Sequence, residues 1–252
     1  MDLGLSGRAY VVTGGSSGLG LATATALVAD GATVVVSGRH RETVDAAVSE
    51  LGADSATGVV ADNSDPGTPA ALVAAARTAY GRIDGALISV GGPKNGTVMD
   101  TADEDWSAAF ESVFLGGLRL GREIGRELGE GGAIAFVLSS SVRSPIPDLA
   151  ISNGLRPGLA MVAKNLADEL GPRGVRVNGL LPGRVETDRI RFLDAQSGDE
   201  AAAKEESAKT IPLGRYGTPA EFGKTAAFLL SPAAGYVSGV MLPVDGGMLR
   251  SV

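Results

Sequence analysis

Between positions 13 and 20 the chain reads Thr13-Gly14-Gly15-Ser16-Ser17-Gly18-Leu19-Gly20. Glycines at this spacing suit the binding of a dinucleotide. Gly14 permits a tight turn, Gly18 lets the backbone approach a pyrophosphate, and Gly20 lets a following helix pack close on the preceding strand. The N–H groups that open the helix then face the phosphates, aided by the helix dipole. An apolar run precedes the motif and a helical pattern follows it, and that context gives the glycines their meaning. The segment Val36-Ser37-Gly38-Arg39-His40 chooses between cofactors. A carboxylate here would bind ribose hydroxyls and repel a 2′-phosphate. None is present, and Arg39 can grip a phosphate with two parallel N–H bonds, so the expected cofactor is NADP. Asp62 has two uses open to it: a hydrogen bond to an adenine edge, or capping of a turn with Asn63 and Ser64.

Other chemistries are excluded by composition. The 252 residues include no cysteine and one histidine, His40. Disulfides, thiol nucleophiles, thiolate metal sites and a histidine zinc cluster are therefore ruled out. A formal net charge of −7 argues against nucleic acid as a partner. No apolar run reaches membrane-spanning length, and residues 1–8, with Asp2 among them, lack the pattern of a signal peptide. The expectation is a cytoplasmic protein with no resident metal.

These residues need a frame that brings their loops to one edge. The pattern predicts strands at 8–13, 33–37, 58–61, 86–90, 133–138, 175–181 and 240–244. It predicts helices at 17–30, 41–51, 68–80, 103–128, 154–170 and 219–230. Strands apolar at nearly every position are buried on both faces, as in a parallel sheet between helix layers. Alternation of strand and helix predicts an α/β, doubly wound Rossmann-type domain of about seven strands with helices on both faces. The length fits one domain over 1–252. One long irregular connection, 182–219, carries a helical pattern at 199–209, and its part 184–215 is expected to be a lid over a substrate pocket.

Ligands of such sheets bind outside the carboxyl ends of the strands. The loops there carry Arg39, Lys94, Arg143, Arg184, Arg189 and Arg191, and Arg156 follows in the next helix. Two readings stand. The cations form an anion-attracting mouth for NADP and an anionic substrate, such as a carboxylate or a phosphopantetheine thioester. Or Glu186, Asp188 and Asp194 pair with them as solvated surface charge.

At these residues the chain resembles the short-chain dehydrogenase/reductase family over nearly its whole length, in particular the 3-oxoacyl-acyl-carrier-protein reductase-like branch. The matching positions are Thr13 to Gly20, Asp62, Pro182-Gly183 with Thr187, and the closing Val244-Asp245-Gly246-Gly247; the family's usual Asn-Asn-Ala-Gly after strand four reads Ile88-Ser89-Val90-Gly91 here, a departure. The resemblance implies a Rossmann fold, a carbonyl substrate and a homotetramer. It implies a nicotinamide cofactor held by Thr13, Gly14, Ser16, Ser17, Gly18, Leu19, Gly20, Asp62, Gly91, Pro182, Gly183 and Thr187.

The family's chemistry rests on a serine, a tyrosine, a lysine four residues later and an asparagine on an earlier helix. The serine is Ser139 or Ser140, within the run Ser139-Ser140-Ser141. The tyrosine position falls on Ser152, the lysine position on Arg156 and the asparagine position on Val113. Tyr10, Tyr80, Tyr216 and Tyr236 cannot fill the gap by a small shift. A tyrosine can donate a proton, since its pKa of about 10 falls beside a cation. Ser152 is a far weaker acid, and Arg156 keeps its charge without relaying a proton. Arg156 is still expected to hold the nicotinamide ribose, and Lys94 is the expected substitute donor. Pro157 lacks an N–H, so it fits a helix only in the first turn or at a kink. With a helix start near Asn153, Ser152 or Asn153 is the N-cap, and Arg156 opposes the dipole unless an anion is near.

The favoured expectation is an NADP-dependent carbonyl reductase with an altered proton-transfer set, because the lid and pocket segments are complete. The alternative is a non-catalytic NADP-binding sensor or a partner subunit of a mixed oligomer. A lyase or epimerase using the same site is the third.

Overall fold

The computed structural model describes residues 2–195 and 198–251. Its first two strands show why a sheet forms. β1 (Ala9–Val12) and β2 (Thr33–Gly38) are rich in β-branched residues, and their side chains alternate between two faces. Val11 and Val35 enter one core, while Tyr10, Val12, Val34 and Val36 enter the other. Parallel strands need long crossovers, which the helices supply.

The further strands are β3 (Ala56–Val60), β4 (Gly85–Ser89), β5 (Ala133–Val137), β6 (Arg176–Pro182) and β7 (Met241–Val244). All neighbours are parallel, in the order β3-β2-β1-β4-β5-β6-β7. The helices are α1 (Gly18–Ala29), α2 (Arg41–Leu51), α3 (Thr68–Tyr80), α4 (Asp103–Ala109), α5 (Gly116–Glu127) and α6 (Ala150–Leu170). They continue with α7 (Asp188–Ala195), α8 (Glu200–Lys209) and α9 (Pro219–Leu230). α3, α4, α5 and α6 cover one face of the sheet, and α1, α2 and α9 the other. Chain order reverses between β1 and β4, which opens the crevice where ligands of such sheets bind. No helix among the described residues is long and apolar enough to cross a membrane.

The doubly wound α/β expectation holds, and three local expectations change. The stretch 103–128 is not one regular helix: α4 passes through a π-helical segment, Phe110–Leu115, into α5. α6 begins at Ala150, not near 154, because Ala150 N–H bonds Gly96 carbonyl oxygen and Asn153 binds both backbone groups of Ile146 through its amide. Pro157 therefore lies inside the helix. The 184–215 segment holds a second helix, α7, whose pattern was too short to read from sequence.

Candidate active site

The glycine loop leaves β1 and opens α1. Gly14 and Gly18 take φ of +59° and +53°, the left-handed region that suits glycine. A Cβ on Gly20 would collide with the Gly14 carbonyl oxygen, and one on Gly15 would stand 2.7 Å from that of Val12. Ser17 takes the N-cap position in extended conformation, but its hydroxyl caps no N–H, and the first turn holds no acid. The leading N–H groups of α1 are thus left for an anion. Thr187 faces Gly18 from the far side, 3.6 Å from where a Cβ would stand. Ser16 sits against Gly38 at the end of β2, and its hydroxyl accepts from Thr43 at 3.4 Å. Arg39 is exposed beside it and acts on the Asp62 carboxyl only from a distance, not as a close ion pair. This cradle fits a dinucleotide with an added phosphate.

Asp62 Oδ1 accepts from the Ser64 N–H and the Ser64 hydroxyl, both at 2.8 Å. Those bonds hold its carboxyl below the usual range, and Arg39 adds to the effect. The turn-capping use is therefore built. Thr13 is fully buried and clamps β1 to β4: its hydroxyl accepts from Ser89 N–H at 2.8 Å and donates to Ser89 carbonyl oxygen at 3.0 Å. It supports the loop from below rather than presenting its side chain to a ligand. Asn63, beside Asp62, donates to the same Ser89 carbonyl oxygen at 3.1 Å.

The serines lie beyond the end of β5. Ser139 Oγ accepts from Ser141 N–H at 3.1 Å and starts a short 3-10 turn over Ser140–Val142. Ser141 Oγ stands 3.3 Å from Ser152 Oγ, and both side chains are buried. Ser152 is thus a buried residue of the first turn of α6, not its N-cap, which is Leu149. Its partner Ser141 was missed; the triple-serine run, open by one residue in alignment, was the only signal. Val113 is buried in the π-helical segment.

Arg156 departs most from expectation. It lies beyond the first turn of α6, 7% exposed. Its Nη1 donates to Val137 and Leu138 carbonyl oxygens at 2.9 and 3.0 Å, and its Nη2 to Gly91 carbonyl oxygen at 2.7 Å. One guanidinium therefore ties the carboxyl ends of β4 and β5 together. Burial, with Arg189 nearby, pushes its pKa down to about 10, so it is charged at neutral pH.

Lys94 is not among the serines: its ammonium is exposed and paired with Asp105 on α4 at 2.7 Å. The other cations divide. Arg191 pairs with Asp188 and Arg184 with buried Asp194, each at 2.8 Å. Glu186 pairs with Lys204 instead of a mouth arginine. Asp194 also accepts from the Tyr216 hydroxyl at 3.0 Å, docking α7 on the body. Arg189 reaches across to the loop after β4, donating to Pro93 carbonyl oxygen at 2.9 Å and Asn95 Oδ1 at 2.7 Å. At the root of this segment, Gly183 N–H bonds Val244 carbonyl oxygen at 3.1 Å, just after Pro182.

This arrangement agrees with what the chain is similar to. Residues 14–249 match the family model described as enoyl-(acyl carrier protein) reductase. Levodione reductase of Leifsonia aquatica is 36% identical over 253 residues, covering 95% of this chain and 93% of the relative. L-sorbose reductase of Gluconobacter frateurii, solved with NADPH and L-sorbose, superposes with a TM-score of 0.94 at 30% identity, covering 100% of both chains. A short-chain oxidoreductase of Pseudomonas aeruginosa PAO1, described as containing an atypical catalytic center, superposes at 0.91 and 31% identity, covering 99% of this chain and 100% of that one. By sequence, sheet order and glycine loop, the chain belongs to the short-chain dehydrogenase/reductase family.

Proposed function

We propose that the protein is an NADP-dependent carbonyl reductase, similar to 3-oxoacyl-acyl-carrier-protein reductases, with a rebuilt proton-transfer set. The carrying observation is the glycine cradle with Arg39, and no acid, at the end of β2. The NADPH complex of the L-sorbose reductase relative supports the same cofactor. Gly14, Ser16, Ser17, Gly18, Leu19 and Gly20 would hold the pyrophosphate, Arg39 the 2′-phosphate and Asp62 the adenine edge. Gly91, Pro182, Gly183 and Thr187 line the nicotinamide end, and Thr13 braces the loop.

Bound in that cradle, NADPH would supply the hydride that the carbonyl carbon accepts. The carbonyl π pair moves onto oxygen, which takes a proton from water. Ser139 and Ser140 polarise the carbonyl, and the Ser141–Ser152 hydroxyl pair orders their turn. Arg156 holds Gly91 and the end of β5 in place and supplies positive charge beside the growing alkoxide. Lys94, held by Asp105, takes no part. Residues 184–195 and 198–215 form the lid, residues 196 and 197 of the expected span lying outside the described residues, and the chain works as a cytoplasmic homo-oligomer.

A second reading, an NADP-binding sensor or partner subunit, is favoured by Ser152, whose hydroxyl meets another buried hydroxyl where the family has an acid. Loss of general acid catalysis costs roughly 10²–10⁴-fold, which slows hydride transfer without ending it. The deciding experiment is NADPH oxidation against a panel of ketones and acyl thioesters, after NADPH binding is confirmed by fluorescence. Turnover that Ser140→Ala and Arg156→Ala abolish is the expected result. Tight binding with no turnover across the panel would favour the sensor.

A further inference from the structure

Carboxylates account for Lys94, Arg184 and Arg191 at the mouth, but not for Arg156 or Arg189. These two guanidiniums flank one short stretch of backbone. Arg156 Nη2 binds Gly91 carbonyl oxygen, and Arg189 Nη2 binds Pro93 carbonyl oxygen. Between them, a Cβ on Gly92 would stand 3.2 Å from Arg189 Nε. The cations are close enough for Arg189 to disfavour the charge on Arg156. Two like charges flank the loop after β4, Arg156 bound to the carbonyl oxygen of Leu138 just before Ser139 and Arg189 to the Pro93 carbonyl oxygen and Asn95 Oδ1. With only neutral oxygens as hydrogen-bond partners among the described residues, they leave a positive field unmatched by the protein.

We propose that the site takes a carbonyl substrate that bears a carboxylate close to the reacting carbon, an oxo acid, and that Arg189 is the side chain that reads it. This rests on the reductase reading above. Arg156 is buried and three of its N–H groups are spent on carbonyls, so it acts as fixed charge. Arg189 is exposed, and its two hydrogen bonds both use Nη2, which leaves Nη1 for a ligand. A planar guanidinium takes a carboxylate with two parallel bonds, a geometry that an ammonium cannot reproduce. Arg189 rides on α7, so a substrate carboxylate would add a tie between the lid and the loop after β4. The same field favours the alkoxide that hydride addition creates, and so offsets part of the missing acid.

The competing source of negative charge is the cofactor's own phosphate, and the experiment separates the two. Matched pairs of oxo acid and methyl ester are compared in wild type, Arg189→Gln, Arg189→Lys and Arg191→Gln. Wild type should prefer the acids, and Arg189→Gln should cut the acid-to-ester ratio of kcat/KM by about 10- to 100-fold, mainly through KM for the acid. Arg189→Lys should restore part of the ratio, while Arg191→Gln, whose charge is already paired, should keep it. Equal use of acid and ester by wild type overturns the proposal. So does an Arg189→Gln effect that falls on KM for NADPH, or equally on acid and ester. Calorimetry of one acid–ester pair against the protein–NADP⁺ complex applies the same test without turnover. Acid-selective binding there, lost in Arg189→Gln, supports the carboxylate site even where no carbonyl compound is reduced; equal or absent binding of both overturns it.

Discussion

The cofactor side and the reaction side of the crevice are built on opposite plans. Around α1 the backbone makes the site: glycines clear the space, and uncapped N–H groups face the ligand. Around β5 and α6 the backbone is what must be held: three carbonyl oxygens converge on one guanidinium, and hydroxyls satisfy each other. A site made of backbone tolerates changes in its neighbours and stays recognisable. A site made of side chains can change character with a few substitutions while the frame around it persists. The sharpest way to break this contrast is Gly20→Ala. The added methyl meets the Gly14 carbonyl oxygen, so the loop itself must move. Overpacking of this kind costs about 1–3 kcal/mol, a fall of roughly 2–12 °C in melting temperature for a domain of this size. Displacing a positioned group by about 1 Å costs about 100-fold. The expected result is an NADPH affinity lowered by about 100-fold in a fluorescence titration, in protein that still melts cooperatively. A variant that binds NADPH normally would show that the loop's side chains, not its backbone, hold the cofactor.

Arg39 tests a place where the proposed cofactor side depends on a cationic side chain. Arg39→Asp replaces a phosphate grip with a carboxylate that repels phosphate and suits a ribose diol. Losing a charged hydrogen bond of this type costs about 1.5–3 kcal/mol. NADPH should therefore bind about 10- to 100-fold more weakly, while NADH binding improves. Steady-state KM values for both cofactors read the ratio directly. An unchanged ratio would mean that Ser16 and Thr43, not Arg39, set the preference at the end of β2.

The same contrast decides what is legible in the sequence. The glycine loop was legible because its physics is local: eight consecutive residues, a strand before and a helix after. The sheet was legible for the same reason, since β-branched runs such as Val34-Val35-Val36 alternate with helical periods. The reaction side was not, because its contacts join residues far apart in sequence. Arg156 reaches Gly91, 65 positions earlier, and no spacing rule announces that bond. Lys94 looked available until Asp105 was seen folded against it, and Ser152 looked like a cap until Asn153 proved to hold the Ile146 turn. The start of α6 was misplaced because Pro157 argues for a nearby helix end, whereas the bond from Ala150 to Gly96 sets the true one.

The smallest expected effect is the most specific to the reaction side. The direct groups there are hydroxyls and one guanidinium pushed down to about 10. A reductase using them should vary less than about two-fold in kcat between pH 6 and 9, because Arg156 keeps its charge throughout that range. As pH rises through about 10 the charge is lost, and turnover should fall with it. Stability should move the other way. In the unfolded chain an arginine holds its proton well above pH 10, so from pH 10 upward the unfolded state binds the proton more tightly than the folded one. Stability then rises with pH across that window as the penalty of burying the charge is relieved. Arg156→Gln, which can still donate to a carbonyl, removes the titration, so the wild-type-minus-variant difference isolates it from other alkaline groups. Activity and urea stability measured on both proteins from pH 9 to 11 should diverge in wild type and not in the variant. Parallel decline in both proteins would mean that the reaction side rests on some other titrating group, and that Arg156 is a strut without electrostatic effect on the chemistry.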